Sequence, residues 1–227
     1  MAMQSTVSTL LLRKVPLFSM LPDDQLEVLT RVVRRQSFAR GATIIAAGDT
    51  TDSLYVVISG TLKVLIGDKK SGREIILTVL STGEYFGEMV PIEDNTRSAS
   101  VVALEAGELL VLSKRDFRKC LSDNFEMAMT MLRCAVQRLR EADRKIGRLA
   151  LMDVYGRVAA SLLDMSESID GQHVITQKIV KTEMADTLGA SREMVTRVMK
   201  DLQARGFIEV RGDSIYLRDN IASIGEI

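Results

Sequence analysis

The chain has 227 residues, of which 46% are hydrophobic, so it can form one large or two modest folded domains and is not a disordered tail. Thirty lysines and arginines balance thirty aspartates and glutamates, so binding to a polyanion requires local clusters of positive charge. Two cysteines, Cys120 and Cys134, are too few for a four-cysteine metal site and fit a reducing compartment. We expect both side chains to be buried. Neither a signal peptide nor a run of about 18 apolar residues is visible, which predicts a cytoplasmic protein without a membrane partner.

The first half of the chain changes from a helical to a strand-like pattern. Apolar residues recur at helical spacing from Leu21 to Arg35, with Pro22 and two aspartates near the start, where a helix N-terminus prefers them. From Phe38 to Leu112 short β-rich runs are separated by glycine-containing turns, which predicts a sandwich or barrel. At Ser113, a good N-cap residue, the pattern becomes helical again.

A long helix, predicted from about Phe125 to Ala150, has the spacing of a coiled coil. Steps of four and three residues alternate along Phe125, Met129, Leu132, Val136, Leu139, Asp143, Ile146 and Ala150. This pattern predicts a homodimer interface; the alternative is one helix stripe packed on its own domain. Asp143 is the exception, because two symmetry-related carboxylates repel each other unless they are protonated, solvated or hydrogen-bonded to something between them.

The C-terminal part predicts a winged helix-turn-helix. Asp153 can cap a helix "VYGRVAASLLDMSES", and "IDGQH", which contains the single histidine His173, is predicted to be a loop. Then follow "KTEMADTLG", "ASREMVTRVMKDLQARG" and "FIEVRGDSIYLRD", in the order helix, glycine turn, helix and hairpin. Ser191 is a plausible cap for the second of these helices, whereas Val180 is a poor one for the first.

Four of these motifs resemble, in the same order, those of the CRP/FNR family of dimeric bacterial transcription factors. They are "GDTTDSLYVVISGTLKVLI", "FGEM" with "TRSAS", "KIGRLALMDVYGRVAASLL" and "LGASREMVTRVMKDLQARGFIEVRG", and together they extend over nearly the whole chain. The resemblance implies an α+β fold. Its parts would be an N-terminal double-stranded β-roll over residues 1–123, which is a cyclic-nucleotide-binding jelly roll, a dimerisation helix over 124–150, and a winged helix-turn-helix DNA-binding domain over 151–227.

The stretch "GEYFGEMVPIEDNTRSAS", residues 83–100, carries groups that suit a cyclic nucleotide. Gly87 allows a close approach of the backbone, and the N–H groups of the turn from Met89 onward can face a phosphate. Glu88 can accept from a ribose 2′-hydroxyl, Arg97 can pair bidentately with the phosphate, and Ser98 can add a hydroxyl bond. The resemblance places the pocket of the family at the same positions. The alternative is a surface ion pair between Glu88 and Arg97 across a loop.

The resemblance also implies that two residues of the long helix face the ligand base. The matching positions are Ala142 and Asp143, where the cyclic-AMP-binding members have a Thr-Ser pair. A carboxylate can accept from the amine of adenine or, through two parallel bonds, from the edge of guanine. The expected ligand is therefore cAMP, with cGMP, cyclic di-GMP or activity without a ligand as alternatives.

A dimer with one recognition helix per subunit predicts a palindromic DNA site with half-site centres about 34 Å apart. The candidate contact residues lie at the start and on one face of the second helix, namely Ser191, Arg192, Glu193, Thr196, Arg197 and Lys200. Arginine pairs with guanine and glutamate accepts from cytosine, so Arg192, Glu193 and Arg197 are expected to read bases. Ser191 and Lys200 are expected to contact phosphates. The resemblance implies a TGTGA-like half-site; the alternative is a solvated helix face.

An enzyme is not expected, and no metal site is predicted. No Gly-x-Ser-x-Gly motif, metal-ligand cluster or phosphate-transfer motif accompanies His173. A nucleotide-binding module that regulates another protein is a further alternative, against which the winged-helix segment argues. Residues 169–173 correspond to a polymerase-contacting loop in the activators of the family, so RNA polymerase is an expected partner.

Overall fold

A computed structural model of the protein describes residues 7–67, 74–212 and 214–225. The chain divides into two compact units, Met1–Gln137 and Arg138–Ile227. The first unit contains most of the β-structure together with four short helices and the first half of a long helix. The second contains the rest of that helix and a small α+β domain.

The first unit opens with two helices and continues through eight strands. In chain order the elements are α1 (Thr9–Arg13), α2 (Asp23–Val32), β1 (Arg34–Phe38), β2 (Thr43–Ile45), β3 (Leu54–Ser59), β4 (Leu62–Gly67), β5 (Glu74–Leu80), β6 (Tyr85–Phe86), α3 (Met89–Glu93), β7 (Ser100–Ala103), β8 (Gly107–Leu112) and α4 (Lys114–Asp123). The strands form two antiparallel sheets with the orders β1-β8-β3-β6 and β2-β7-β4-β5. Consecutive strands alternate between the sheets except for β4 and β5, which pair as a hairpin in one sheet, so the chain winds into the predicted double-stranded β-roll.

Two apolar cores hold the first unit together. One lies between the sheets, to which both contribute, for example through Val57 of β3 and Leu62 of β4. The other covers the opposite side of β3 and β8, where Leu54 and Leu110 meet Phe117 of α4 and the N-terminal helices. Because β3 is buried on both faces, it is a continuous apolar run rather than an alternating one.

The long helix α5 extends from Phe125 to Leu151, as predicted from the sequence. Met127 and Met131 on one stripe are buried in the second core, and Cys134 packs against it. The residues of the predicted seam lie on another stripe and are largely exposed, including Leu139 at 61% and Ile146 at 63%. The helix therefore has two apolar stripes, of which the chain itself covers the first.

The second unit contains several helices and, among its described residues, a four-stranded sheet. After α5 come α6 (Val154–Met165), β9 (Glu167–Ile169), β10 (Gln172–Ile175), α7 (Lys181–Leu188), α8 (Arg192–Ala204), β11 (Ile208–Arg211) and β12 (Ser214–Leu217), followed by a 3₁₀ turn and α9 (Ala222–Gly225). The sheet order is β11-β12-β10-β9. Helices α7 and α8 with the β11–β12 hairpin form the winged helix-turn-helix, so the α+β fold class is confirmed.

Helix boundaries follow the cap residues that the sequence indicated. Ser113 accepts a hydrogen bond from the N–H of Asp116, Asp153 from that of Gly156, and Ser191 from that of Met194. At Val180 no side-chain cap is present, as expected.

Outside the candidate sites, three expectations about helices and loops are wrong. The helix expected from Leu21 to Arg35 is α2, which ends at Val32, because Arg34 and Arg35 pair with β8 in strand β1. The α6 helix ends at Met165, and the predicted loop at 169–173 is a hairpin between β9 and β10, which places His173 in a strand. Its turn residues Asp170 and Gly171 both have positive φ, at 50° and 77°, as a tight hairpin turn requires.

The cysteines differ from the prediction in degree. Both Cys120 and Cys134 are partly buried rather than fully buried, and both pack against the second core. Burial raises the pKa of the Cys120 thiol to about 11, so this thiol is protonated at neutral pH.

Candidate functional sites

The first candidate site is built around Arg97, a buried arginine of the first unit, which is 4% exposed. Its Nε donates to the hydroxyl of Thr51 at 3.1 Å, Nη1 to the carbonyl of Gly87 at 2.6 Å, and Nη2 to the carbonyl of Ser53 at 2.8 Å. The guanidinium also lies over the ring of Tyr55, with 5.7 Å from Cζ to the ring centroid. Loops before β3 and after β6 therefore fix this side chain.

All three hydrogen-bond acceptors of Arg97 are neutral. No carboxylate among the residues that the structure describes forms a salt bridge with it, so the alternative of a surface ion pair with Glu88 does not hold. Burial lowers the pKa of the guanidinium, and the more distant carboxylates raise it only in part. A guanidinium has five N–H donors, and two of them have no partner within the described residues. The site thus presents a desolvated positive charge with two free donors.

The arrangement around Arg97 requires a glycine at position 87. Its φ is 79°, which favours glycine, and a Cβ atom built there would lie 2.6 Å from Nη1 of Arg97 and 3.1 Å from the carbonyl oxygen of Ser53. The absence of a side chain at this position lets the guanidinium reach the carbonyl. Gly87 therefore serves the arginine directly, whereas the sequence suggested only a close approach to a ligand.

The structure brings Met89 and Ser98 into contact with each other. The Ser98 hydroxyl lies 3.5 Å from the Met89 sulfur, and Met89 begins the short helix α3. The segment between Glu88 and Arg97 is thus partly helical and not the loop that the sequence predicted. Glu88 precedes this helix and is partly buried. Five predicted residues, from Gly87 to Ser98, therefore lie on two segments that contact each other, through Gly87 with Arg97 and through Met89 with Ser98.

The remaining two predicted pocket residues lie on α5. Ala142 and Asp143 are exposed and belong to the second compact unit. Their assignment to a ligand base stays a prediction. Sequence reasoning missed Thr51 and Ser53, which precede β3 by a few residues and have no local pattern that marks them.

The second candidate site is the exposed face of α8. Five of the six predicted DNA-contacting residues line one open depression with a volume of about 510 Å³, namely Arg192, Glu193, Thr196, Arg197 and Lys200. The sixth, Ser191, caps the same helix. The opposite face is buried through Val195, Val198, Met199 and Leu202, so the polar face must point outward.

The side chains of this face differ in how far they are held. Thr196 donates its hydroxyl to the carbonyl of Arg192 at 2.8 Å, and Nη2 of Arg197 lies 2.9 Å from the sulfur of Met194. In the part of the chain that the structure describes, the side chains of Arg192, Glu193 and Lys200 form no hydrogen bond or salt bridge. Two cations and one carboxylate are therefore free to meet base edges or phosphates.

Among the described residues, no group of three or more His, Cys, Asp or Glu side chains could hold a metal ion. No helix among them is both long enough and apolar enough to cross a membrane.

Comparison with known proteins gives matches to both parts of the chain. Residues 35–124 match the cyclic nucleotide-binding domain family, and residues 156–220 match the Crp-like helix-turn-helix domain family. The chain is 36% identical over 197 residues to the cAMP-activated global transcriptional regulator Vfr of Pseudomonas aeruginosa, covering 84% of this chain and 92% of the relative. It is 30% identical over 215 residues to a CRP-like cAMP-activated global transcriptional regulator of Mycobacterium tuberculosis, covering 92% and 95%.

Solved structures show the same fold. The c-di-GMP responsive global regulator CLP of Xanthomonas campestris matches with a TM-score of 0.71 and 28% identity, over 86% of this chain and 99% of that one. A CooA mutant from Carboxydothermus hydrogenoformans matches with a TM-score of 0.76 at 19% identity, over 88% and 95%. The second similarity concerns the fold alone.

Proposed function

The chain belongs to the CRP/FNR family of transcription regulators, and we propose that it acts as a homodimer that binds cAMP in each β-roll and recognises a palindromic, TGTGA-like operator through α8. The matches make the chain a CRP-like, cyclic-nucleotide-responsive and DNA-binding transcription regulator. The family consists of transcription regulators, which confirms the expectation that the chain is not an enzyme. Double-stranded DNA and a cyclic nucleotide are thus its partners.

The observation that carries the ligand proposal is the environment of Arg97. A buried cation is normally paired with a carboxylate, because an uncompensated buried charge is costly. Here the hydrogen-bonding acceptors are neutral and two N–H donors are free, so an anion with two oxygens completes the site. A cyclic phosphodiester has this chemistry. Gly87, Glu88, Met89 and Ser98 are proposed to complete the sugar and phosphate contacts.

The base of the ligand is the less constrained part. We assign it to Ala142 and Asp143, where binding would relieve the repulsion between the two seam carboxylates. Cyclic di-GMP is the second candidate, because a carboxylate can accept two bonds from guanine and because CLP is described as c-di-GMP responsive. cGMP and activity without a ligand follow after it.

Support for the dimer comes from α5. Its predicted seam is exposed although it is apolar at most positions, and the helix uses a different stripe for its own core. Apolar surface of this length is covered in coiled-coil dimers. The hairpin of β9 and β10, whose tip is residues 170 and 171, is proposed as the contact with RNA polymerase.

Calorimetric titration with cAMP, cGMP and cyclic di-GMP tests the ligand part of the proposal. We expect wild type to bind cAMP, and Arg97→Gln to lose about 2–5 kcal/mol of binding free energy, because it leaves the phosphate charge unpaired. Asp143→Ala should change the preference among the three nucleotides. Equal titration profiles for wild type and Asp143→Ala would remove Asp143 from the site, and an unaffected Arg97→Gln would contradict the anion site.

A further inference from the structure

The C-terminal end of α3 is held by two cations of α4. Asp94, which follows the helix, accepts hydrogen bonds from Nζ of Lys114 and, at 2.8 Å, from Nη2 of Arg118. Arg118 also donates from Nε to the carbonyl of Pro91 at 2.6 Å, with Nη2 3.4 Å from that of Ile92. We call Asp94, Lys114 and Arg118 the α3 clamp.

The clamp fits the local chemistry of a helix end. Asp94 has a left-handed backbone, with φ 59°, and its N–H bonds the carbonyl of Val90 at 3.0 Å. Carbonyl groups at the C-terminus of a helix carry partial negative charge, which favours cations beside them. The hydrogen bonds from Lys114 and Arg118 hold the pKa of the Asp94 carboxyl below its ordinary value, so the carboxylate is ionised at neutral pH.

The other end of α3 adjoins the nucleotide site. Gly87, two residues before the helix, gives its carbonyl to Arg97, and Met89 at its start contacts Ser98. Helix α3 is therefore tied at its start to the residues proposed to bind phosphate and at its end to α4. A ligand that moves the first end must either break the clamp or move α4.

On its other side α4 is fixed to α5. Phe117 of α4 is fully buried in the same core as Met127 and Met131 of α5. Between the two helices Asn124 donates from Nδ2 to the carbonyl of Cys120 at 3.3 Å. Because a close-packed core transmits displacement, a shift of α4 reaches the start of the long helix.

We propose that the α3 clamp transmits ligand occupancy from the Arg97 site to the long helix, with Arg118 as the principal positioning residue. The inference rests on the proposed function, because it needs a ligand at Arg97 that changes DNA binding. Arg118 itself does not touch the ligand. It makes a planar fork that joins a carboxylate and a backbone carbonyl, which a single ammonium group cannot reproduce.

The test compares Arg118→Gln with Arg115→Gln. Arg115 lies on the same helix, is exposed, and has no hydrogen bond or salt bridge among the described residues, so it is a matched control for the lost charge. For each protein, cAMP affinity is measured by calorimetry and operator affinity by fluorescence anisotropy with and without cAMP. We expect Arg118→Gln to keep cAMP affinity within about threefold of wild type while the cAMP-induced gain in operator affinity falls by about tenfold or more. Arg115→Gln should behave as wild type.

A second variant and a second measurement keep the proposal testable if Arg118→Gln does not fold. Asp94→Asn keeps a residue that tolerates the left-handed backbone but removes the charge. It should likewise retain cAMP affinity and lose most of the cAMP-induced gain in operator affinity. The proposal would be overturned if the cAMP-induced gain in operator affinity were unchanged in both variants. It would also be overturned if cAMP affinity fell by the same factor as that gain. If operator binding by the wild type does not respond to cAMP, the proposed function fails. The clamp is then tested by measuring amide hydrogen exchange of residues 89–94. Faster exchange there in Arg118→Gln supports it, and unchanged exchange overturns it.

Discussion

At the level of single residues, the proposed nucleotide site depends on one glycine as much as on one arginine. The carbonyl of Gly87 accepts a hydrogen bond from Nη1 of Arg97. The backbone of Gly87 has a positive φ that residues with a side chain rarely adopt. Substitution affects both functions at once, because a Cβ atom there meets the guanidinium and the carbonyl of Ser53.

Gly87→Ala should therefore weaken both folding and cAMP binding. The strained φ alone costs about 1–3 kcal/mol of stability, and displacement of Arg97 adds a loss of at least tenfold in cAMP affinity. Gly41→Ala is the control, since Gly41 has a similar φ of 80° and open space around its Cβ position. Thermal unfolding and calorimetry separate the effects. Equal cAMP affinities for the two variants would contradict the role given to Gly87.

A second residue-scale prediction concerns base reading by Arg192. Its side chain has no partner among the described residues and lines the depression on α8, so it can pair with a guanine. Arg192→Ala should cost about 1–3 kcal/mol on the cognate operator and relax the preference at one base pair. Lys200→Ala, in contrast, should weaken binding to all duplexes alike. Uniform weakening by Arg192→Ala in a binding series with single base changes would make Arg192 a phosphate contact instead.

Residue chemistry was predictable from the sequence where the partners are near in the chain. Gly87, Arg97 and Ser98 lie within one short stretch with suitable side chains, and the structure brings them together. The acceptors Thr51 and Ser53 are 46 and 44 residues away from Arg97, and only strand pairing in the β-roll brings them close. The link from Asp94 to Arg118 depends in the same way on how α3 meets α4, which no local pattern encodes.

At the level of elements, several side-chain contacts hold the junction between α5 and α6. Arg148 at the end of α5 forms a two-point salt bridge with Asp164 of α6, with 3.1 Å for the bond from Nη2 to Oδ1. Arg157 donates to the carbonyl of Met152, and Asp153 caps α6. These contacts fix the direction in which α6 leaves the long helix.

Breaking the Arg148–Asp164 bridge should lower operator affinity at a small cost in stability. The pair is partly exposed, so its contribution to unfolding free energy is at most about 1 kcal/mol. A loosened junction makes simultaneous engagement of both half-sites less probable, and we expect Arg148→Asp and Asp164→Arg each to bind the operator about three- to tenfold more weakly. The double exchange should recover most of the affinity. A double variant no better than the singles would show that the bridge does not act as a pair.

Element boundaries were predictable where caps or turn residues mark them, and one such signal was overlooked. The Asp170–Gly171 dipeptide, followed by Val174 and Ile175, is a hairpin signal in "ESIDGQHVI", yet the exposed, polar β9 obscured it. The end of α2 was misplaced for the opposite reason. Its helical spacing continues past Val32, but pairing of β1 with β8 takes over at Arg34.

At the level of the whole molecule, the proposed dimer rests on the exposed seam of α5. Leu139→Glu should convert a dimer into monomers in sedimentation velocity, because it places like charges opposite each other at the seam. Gln137→Glu is the control, since Gln137 is exposed on the same helix but outside the seam. A Leu139→Glu protein that sediments as wild type would locate the interface elsewhere.

The overall architecture was the most predictable feature, because period-two and helical patterns alternate clearly along the chain. The β-roll, the long helix and the winged helix-turn-helix all occur in the predicted order. The two stripes of α5 could not be separated from the sequence, since Met127, Met131 and Cys134 repeat with the same steps of four and three as the seam. Only the packing shows which stripe the chain covers itself.

Binding of a palindromic TGTGA-type duplex, measured by fluorescence anisotropy with and without each nucleotide, tests the central claim most directly. A full switch of the dimer from 1:99 to 99:1 needs a ligand preference of roughly 5.5 kcal/mol for the active state. We predict tight binding of this duplex with cAMP, at least tenfold weaker binding without it, and no cAMP effect in Arg97→Gln. Equal operator affinity with and without cAMP, cGMP and cyclic di-GMP would contradict nucleotide control and leave a DNA-binding regulator that acts without a ligand.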